Sequence, residues 1–225
     1  MKKKKLFGRM KHIFWILLYV AGCVIFGRTD GLPAVTADVQ PAPCVALTFD
    51  DGPNRKYTPQ LLDGLKERGV KASFFVIGKN IPGNEEILKR MKEEGHLIGN
   101  HTYSHVQLNR LPSEKAREEV EKTSNEIFEV TGIYPSYIRP PFGAWPKQLD
   151  LAVTMFPVMW DIDTLDWKSK NTASIIHIVE NEVRDGSIIL MHDDYATSVE
   201  AALKIVDILM EQGFRFVTVD EMLVV

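Results

Sequence analysis

The sequence predicts an α/β protein built as a closed or nearly closed barrel of about seven parallel strands in a single domain. Three observations carry this expectation. From Cys44 onward, short apolar, β-rich runs alternate with longer amphipathic runs, and such alternation means a parallel sheet. The chain has 225 residues, which suits one α/β barrel of roughly 200–250 residues better than two domains. Titratable residues follow the strands, where such folds keep their active sites. An open doubly wound sheet is the structural alternative, and it too places function at the carboxyl ends of strands.

The N-terminus stands apart. Residues 1–28 carry Lys2, Lys3, Lys4, Lys5, Arg9, Lys11 and Arg28 and no acid, around an apolar run from Ile13 to Phe26. A basic start followed by a short apolar run is the pattern of a secretory signal. The run is short for a membrane span of about 20 residues, but it could serve as an uncleaved anchor. Val35-Thr36-Ala37 is a plausible cleavage site. Val20-Ala21-Gly22-Cys23 resembles a lipoprotein box, although Val24-Ile25-Phe26 fits that poorly. The expectation is an exported protein, secreted or held by this segment, whose only membrane contact is there. Residues 29–43 read as a linker, and 44–225 as the domain.

Export changes the charge. Without residues 1–28, Lys+Arg falls from 27 to 20 against 30 acids, a net of −10. An acidic domain argues against nucleic acid as partner. Cys23 falls in the signal, which leaves Cys44 alone, and neither cysteine has metal-ligand spacing. An exported domain without a disulfide must rely on its core or on a metal.

The expected strands are Val45–Phe49, Ser73–Ile77, Leu97–Gly99, Ser136–Arg139, Val158–Ile162, Ser187–Met191 and Arg215–Val219. Helices are expected near 58–68, 84–94, 113–131, 146–154, 172–184 and 198–211. Pro112-Ser113 should cap the long charged helix that stops before Gly132. Gly69, Gly95 and Gly213 sit where others should end.

Chemistry gathers after these strands. His101 and His105 are four apart, so on one helical turn both rings face the same way, as suits a divalent transition metal. Alone, the spacing could equally be two surface histidines. Thr48-Phe49-Asp50-Asp51-Gly52-Pro53 adds two carboxylates that point in opposite directions if extended. One can bind metal while the other faces water, with Gly52-Pro53 turning both into the mouth. A plain surface turn is the other reading. Two His and one Asp leave metal positions open for water and substrate, the catalytic arrangement.

Arg139 ends a strand, where a buried guanidinium needs an acid. It could steady the charge on Asp50 or form a purely structural pair. After it, Pro140-Pro141-Phe142-Gly143 fixes the chain, and the Phe142 backbone N–H could donate to an oxyanion. His192 could donate a proton to a leaving amine if Asp166 orients it, beside an apolar wall from Trp167. Taken alone, it could be a satisfied core histidine. His12, His96 and His177 have no partner pattern, and Asp163, Asp193 and Asp194 could be solvated loop residues.

Together, TFDDGP at 48–53, HTYSH at 101–105, RPPFG at 139–143, DTLDW at 163–167 and ILMH at 189–192 resemble the polysaccharide deacetylases, carbohydrate esterase family four or the NodB homology domain. The resemblance spans about residues 44–222, with the motifs in the family's order. It implies a deformed (β/α) barrel and removal of acetyl groups from sugars. It also implies a metal held by Asp51, His101 and His105, usually zinc, with Co, Mn or Ni compatible. Asp50 would be the general base, steadied by Arg139. His192 would be the general acid, tuned by Asp166, and Trp167 and Leu190 would line an acetate pocket. Phe142 departs from the Tyr of many members, which leaves the backbone N–H and removes a hydroxyl.

Export favours a cell-wall polysaccharide, with peptidoglycan N-acetylglucosamine first. Chitin oligomers, exopolysaccharide and acetylated xylan follow. An inactive wall-glycan binding module and a metal amidase acting on peptide stems are the readings from other classes.

Overall fold

The structure is a computed structural model that describes residues 42–146, 149, 151 and 154–223. The expected signal and all of the linker before Ala42 lie outside these residues. Among the described residues, no helix is long and apolar enough to cross a membrane.

Strand β1 (Cys44–Asp50) is the centre of the sheet and is buried on both faces. Its alternate residues enter different cores, as the two-residue period of a strand requires. Val45, Leu47 and Phe49 pack with Leu61, Leu62 and Leu65 of α1 (Tyr57–Glu67) and with Ala201, Ile205 and Leu209 of α6 (Ala196–Glu211). Ala46 instead joins Phe75, Val158 and Val219 in the barrel interior. Thr48 and Asp50 lie on that same interior face, which is how the strand delivers polar groups into the barrel.

Around β1 stand β2 (Ser73–Val76), β3 (Leu97–Asn100), β4 (Tyr137–Ile138), β5 (Phe156–Pro157), β6 (Ile162–Asp163), β7 (Ser187–His192) and β8 (Arg215–Phe216). The order is β5-β4-β3-β2-β1-β7-β6, and every pairing is parallel. β8 pairs with the first residues of β1 (Cys44 with Arg215, Val45 with Phe216), while β2 pairs with the last (Thr48 to Asp50). The remaining helices are α2 (Glu85–Glu93), α3 (Ser113–Thr131), α4 (Asp166–Ser169), α5 (Thr172–Glu182) and α7 (Val219–Leu223).

This is the deformed (β/α) barrel, with the deformation located. No single strand covers the expected Val158–Ile162: β5 ends just before it at Pro157, and β6 begins only at Ile162. β5 pairs with β4 at one margin of the sheet and β6 with β7 at the other. No ladder joins β5 to β6 among the described residues, so hydrogen bonding does not close the barrel there. The expected strand at Arg215–Val219 is similarly short, because Val219 already begins α7.

The helix expected at 113–131 is α3. It stops at Gly132, whose φ of 72° lets its N–H reach Phe128 O. The expected Ser113 cap is absent, since no side chain caps this helix. The helix expected near 146–154 falls partly outside the described residues, and Pro146, Leu149, Leu151 and Thr154 are not helical.

Candidate active site

The strand ends converge on a cavity of about 320 Å³ lined by Asp50, Asp51, His101, His105, Pro140, Phe142, Trp160, Asp163, Trp167, Leu190 and His192. Register explains the convergence. Asp50 pairs with His192 across β1 and β7, Asn100 with Ile138 across β3 and β4, and Asp163 with Leu190 across β6 and β7. Each chemical residue ends a strand or lies within five residues after one.

Asp51 is the hinge of the site. In an extended chain it would face the helix layer, opposite Asp50. Its φ of 74° puts it in the left-handed region instead. The backbone leaves the strand there, and Asp51 lines the same cavity as Asp50.

Asp51 Oδ1 lies 3.4 Å from His101 Nε2 and 3.4 Å from His105 Nε2. One ligand atom from each of the three residues falls within 4.8 Å of the other two. The expected helical turn across His101 and His105 is not present: residues 101–107 are a loop, with Thr102 and His105 at positive φ. The two rings meet because this loop doubles back, with ring centroids 5.0 Å apart.

The donor chemistry fits a divalent metal. His101 Nδ1–H donates to Arg139 O at 2.6 Å, which leaves the Nε2 lone pair free on the Asp51 side. Burial is the main cause that lowers the His105 imidazolium, favouring the neutral ring that ligates metal. For Asp51, burial acts to raise the carboxyl, but the neighbouring rings of His101, His105 and His192 outweigh it, so its pKa is lowered. Asp51 Oδ1 is also buried without a hydrogen-bond partner. A buried, partnerless carboxylate oxygen facing two imidazoles is what a cation would satisfy.

Beside this trio, Asp50 Oδ1 accepts from Arg139 Nη1 at 2.8 Å, while Asp50 Oδ2 stands 3.8 Å from His101 Nε2. Arg139 is fully buried. It also donates to Thr48 Oγ1 at 2.7 Å and to the carbonyls of Val158 and Met159, and its guanidinium centre lies 4.3 Å from the Phe75 ring centroid. The next strand over supplies a second pair. His192 Nδ1–H donates to Asp166 Oδ1 at 2.7 Å, and the His192 backbone N–H donates to Asp166 Oδ2 at 2.8 Å. Burial acts to lower the His192 imidazolium, but the bond and charge of Asp166, with Asp50 and Asp51, raise it to about 9. His192 Nε2 is left on the cavity side, 3.9 Å from Asp51 Oδ2.

Phe142 has φ 59°. Its ring is exposed and meets His105 edge-on with centroids 4.9 Å apart. Trp167 is half exposed and Leu190 is buried at the wall. All ten residues expected at the site are therefore together, eight lining the cavity and Arg139 and Asp166 behind it. Three groups with no expected role also contribute. Thr48 and Trp160 adjoin Arg139 or the cavity. Asp193, expected as a possible solvated loop residue, is fully buried against Thr58. Apolar context in the sequence hid Thr48 and Trp160. For Asp193, its place directly after His192 at a strand end was the available signal.

The polysaccharide deacetylase family model matches residues 37–158. The peptidoglycan-N-acetylglucosamine deacetylase PgdA of Listeria monocytogenes is 39% identical over 178 residues, covering 79% of this chain and 38% of that protein. The peptidoglycan-N-acetylmuramic acid deacetylase PdaC of Bacillus subtilis is 41% identical over 178 residues, with the same coverage of 79% and 38%. The chain thus spans well under half the length of these relatives. A peptidoglycan-N-acetylglucosamine deacetylase of Bacillus cereus is 35% identical over 189 residues, covering 80% of this chain and 87% of that protein. The solved structure of Bacillus subtilis PdaC has a TM-score of 0.78 at 40% identity, covering 81% of this chain and 90% of that one.

Proposed function

Because the chain belongs to the polysaccharide deacetylase family, we propose that it is an exported, metal-dependent hydrolase that removes N-acetyl groups from peptidoglycan, at N-acetylglucosamine first. The observation that carries this reading is the meeting of three ligand-capable atoms, an Arg-paired carboxylate and an Asp-paired imidazole around one cavity. Relatives named for peptidoglycan support the substrate class. Two sugars are represented among their names, N-acetylglucosamine and N-acetylmuramic acid. The basic, apolar N-terminus supports export, with residues 1–28 as signal or anchor and the catalytic domain from Cys44.

Asp51, His101 and His105 would hold a divalent cation, zinc first, with Co, Mn or Ni compatible. When bound, it supplies Lewis-acid polarisation and makes water more acidic. Asp50, fixed through Arg139, accepts a proton from the attacking water as the new carbon–oxygen bond forms at the acetyl carbon. The Phe142 backbone N–H donates to the developing oxyanion. His192 delivers its Nε2 proton to the amide nitrogen as the carbon–nitrogen bond breaks, with Asp166 keeping the imidazolium oriented. Trp167 and Leu190 wall the space for the acetyl methyl. The products are acetate and a free amine on the sugar.

The test is acetate release from purified peptidoglycan, chitin oligomers, exopolysaccharide and acetylated xylan, with and without chelator. Chelator-sensitive release from peptidoglycan, with new free amines on glucosamine, is expected. Amines on muramic acid would move the sugar assignment. Absence of acetate from every glycan with metal loaded would sink the enzyme reading and favour a glycan-binding module.

A further inference from the structure

The His101–His105 loop is not a helix, so something other than helical geometry must hold its two imidazoles together. Several of its backbone groups bond outside the pair of histidines. Thr102 N–H donates to Asn100 Oδ1 at 2.7 Å, and the carbonyls of Thr102 and Tyr103 accept from Gly78 and Lys79, each at 3.0 Å. The N–H groups of Tyr103 and Ser104 have no strand or helix to join. Both donate to one atom, Glu119 Oε2, at 3.0 and 2.8 Å. Ser104 Oγ–H donates to the other oxygen, Glu119 Oε1, at 2.7 Å. Glu119 sits on α3, which is itself tied to β3 because Asn100 Nδ2 donates to Val120 O and Ser124 Oγ.

We infer that Glu119 is a positioning residue for the metal site: its carboxylate braces the turn between His101 and His105 and thereby sets the separation of their Nε2 atoms. Three donors converge on one side chain: Oε2 accepts the two backbone N–H groups and Oε1 the hydroxyl. The brace works against backbone that does not hold this shape by itself. Thr102 and His105, on either side of the two braced residues, both have positive φ, a region non-glycine residues occupy only when surroundings impose it. Neither end of the brace touches the cavity, so Glu119 acts through the histidines and not on substrate.

The inference rests on reading Asp51, His101 and His105 as a metal site, and its test measures metal directly. The full-length protein is titrated with zinc against a competing chromophoric chelator, with no substrate present. Glu119→Ala is expected to weaken zinc binding about 10–100-fold, the usual effect of removing a group that orients a ligand. Glu119→Gln, which keeps an acceptor for the two N–H groups, should stay within about threefold of wild type. Glu118→Ala, on the exposed side of the same helical turn, is the control for general loss of helix charge. Zinc affinity in Glu119→Ala equal to that of Glu118→Ala would overturn the inference. So would an equal loss in Glu119→Gln and Glu119→Ala. If Glu119→Ala does not fold, the pair Glu119→Gln with Ser104→Ala replaces it. That double variant should bind zinc at least about threefold more weakly than wild type, and unchanged affinity overturns the inference. A wild type that binds no zinc overturns the metal-site reading itself. A wild type that binds zinc but releases no acetate overturns only the proposed activity.

Discussion

Arg139 Nη1 donates to Asp50 Oδ1 at 2.8 Å, and the guanidinium is completely buried. Asp50 ends β1 and Arg139 directly follows β4, so the pair joins the candidate base on the central strand to a strand near the margin of the sheet. Removing one partner of a buried pair strands the other charge, at a cost of about 3–5 kcal/mol. Arg139→Met should therefore lose about that much stability in urea unfolding. Arg139→Lys should recover part of the loss but not the activity, because a point charge cannot reach Thr48, Val158, Met159 and Asp50 together. Wild-type stability in Arg139→Met would show that the pair is not holding the site together.

Asp50→Asn keeps the size of the side chain and removes its proton-accepting charge. Deacetylation should be abolished while zinc titration of the variant stays close to wild type. Near-normal acetate release from Asp50→Asn would remove Asp50 from the role of base.

The His192–Asp166 pair predicts a pH dependence of stability in chelator-treated protein. The folded pKa of about 9 lies above the ordinary 6.5. A raised pKa means the native state holds the proton more tightly than the unfolded one. The stabilisation is then complete below about pH 6.5 and is lost as pH rises through about 9. The loss is at most roughly 3.4 kcal/mol, from the free energy equivalent of each pKa unit. Urea midpoints between pH 6 and 10 should fall for wild type and stay flatter for His192→Gln. In activity, Asp166→Asn should move the alkaline limb of the pH–rate profile downward. An unmoved limb would separate Asp166 from His192.

Metal removal gives a thermodynamic readout. A cation that binds only the folded state at 100 times its Kd adds about 2.7 kcal/mol. Zinc should raise the Tm of chelator-stripped wild type and leave His105→Ala and Asp51→Asn unchanged. An equal zinc response in His105→Ala would place the binding elsewhere.

Gly52 has no side chain because Asp193 occupies its space. A Cβ built at Gly52 would stand 2.7 Å from each Asp193 carboxylate oxygen. Burial pushes the Asp193 carboxyl up to about 7, and Thr58 donates its hydroxyl to it. Gly52→Ala should destabilise by roughly 1–3 kcal/mol through overpacking and displace Asp51. Asp193→Ser should relieve the clash, so the double variant should be more stable than the sum of the single effects. Simple additivity would show that the two positions do not meet.

The alternation of apolar and amphipathic runs, the helix over 113–131 and the ten residues that meet at or behind the cavity were readable in the sequence. They are local patterns or strand-end positions, and local patterns survive into any fold that contains them. What local pattern could not supply is direction. Period two sends Asp51 away from Asp50, and only the left-handed backbone at Asp51, packed against the neighbouring loops, brings both carboxylates into one cavity. A spacing of four suggested a helical turn for His101 and His105. The turn is instead a loop tied to Glu119, a residue of a helix that begins eight positions later in the chain. The run 158–162 looked like one strand, yet it mostly links two short strands, Phe156–Pro157 and Ile162–Asp163, at opposite margins of the sheet. The sequence by itself determined which chemical groups this protein possesses and which strand carries each. Tertiary structure decided where they point, because orientation depends on hydrogen bonds and packing between segments far apart in the chain.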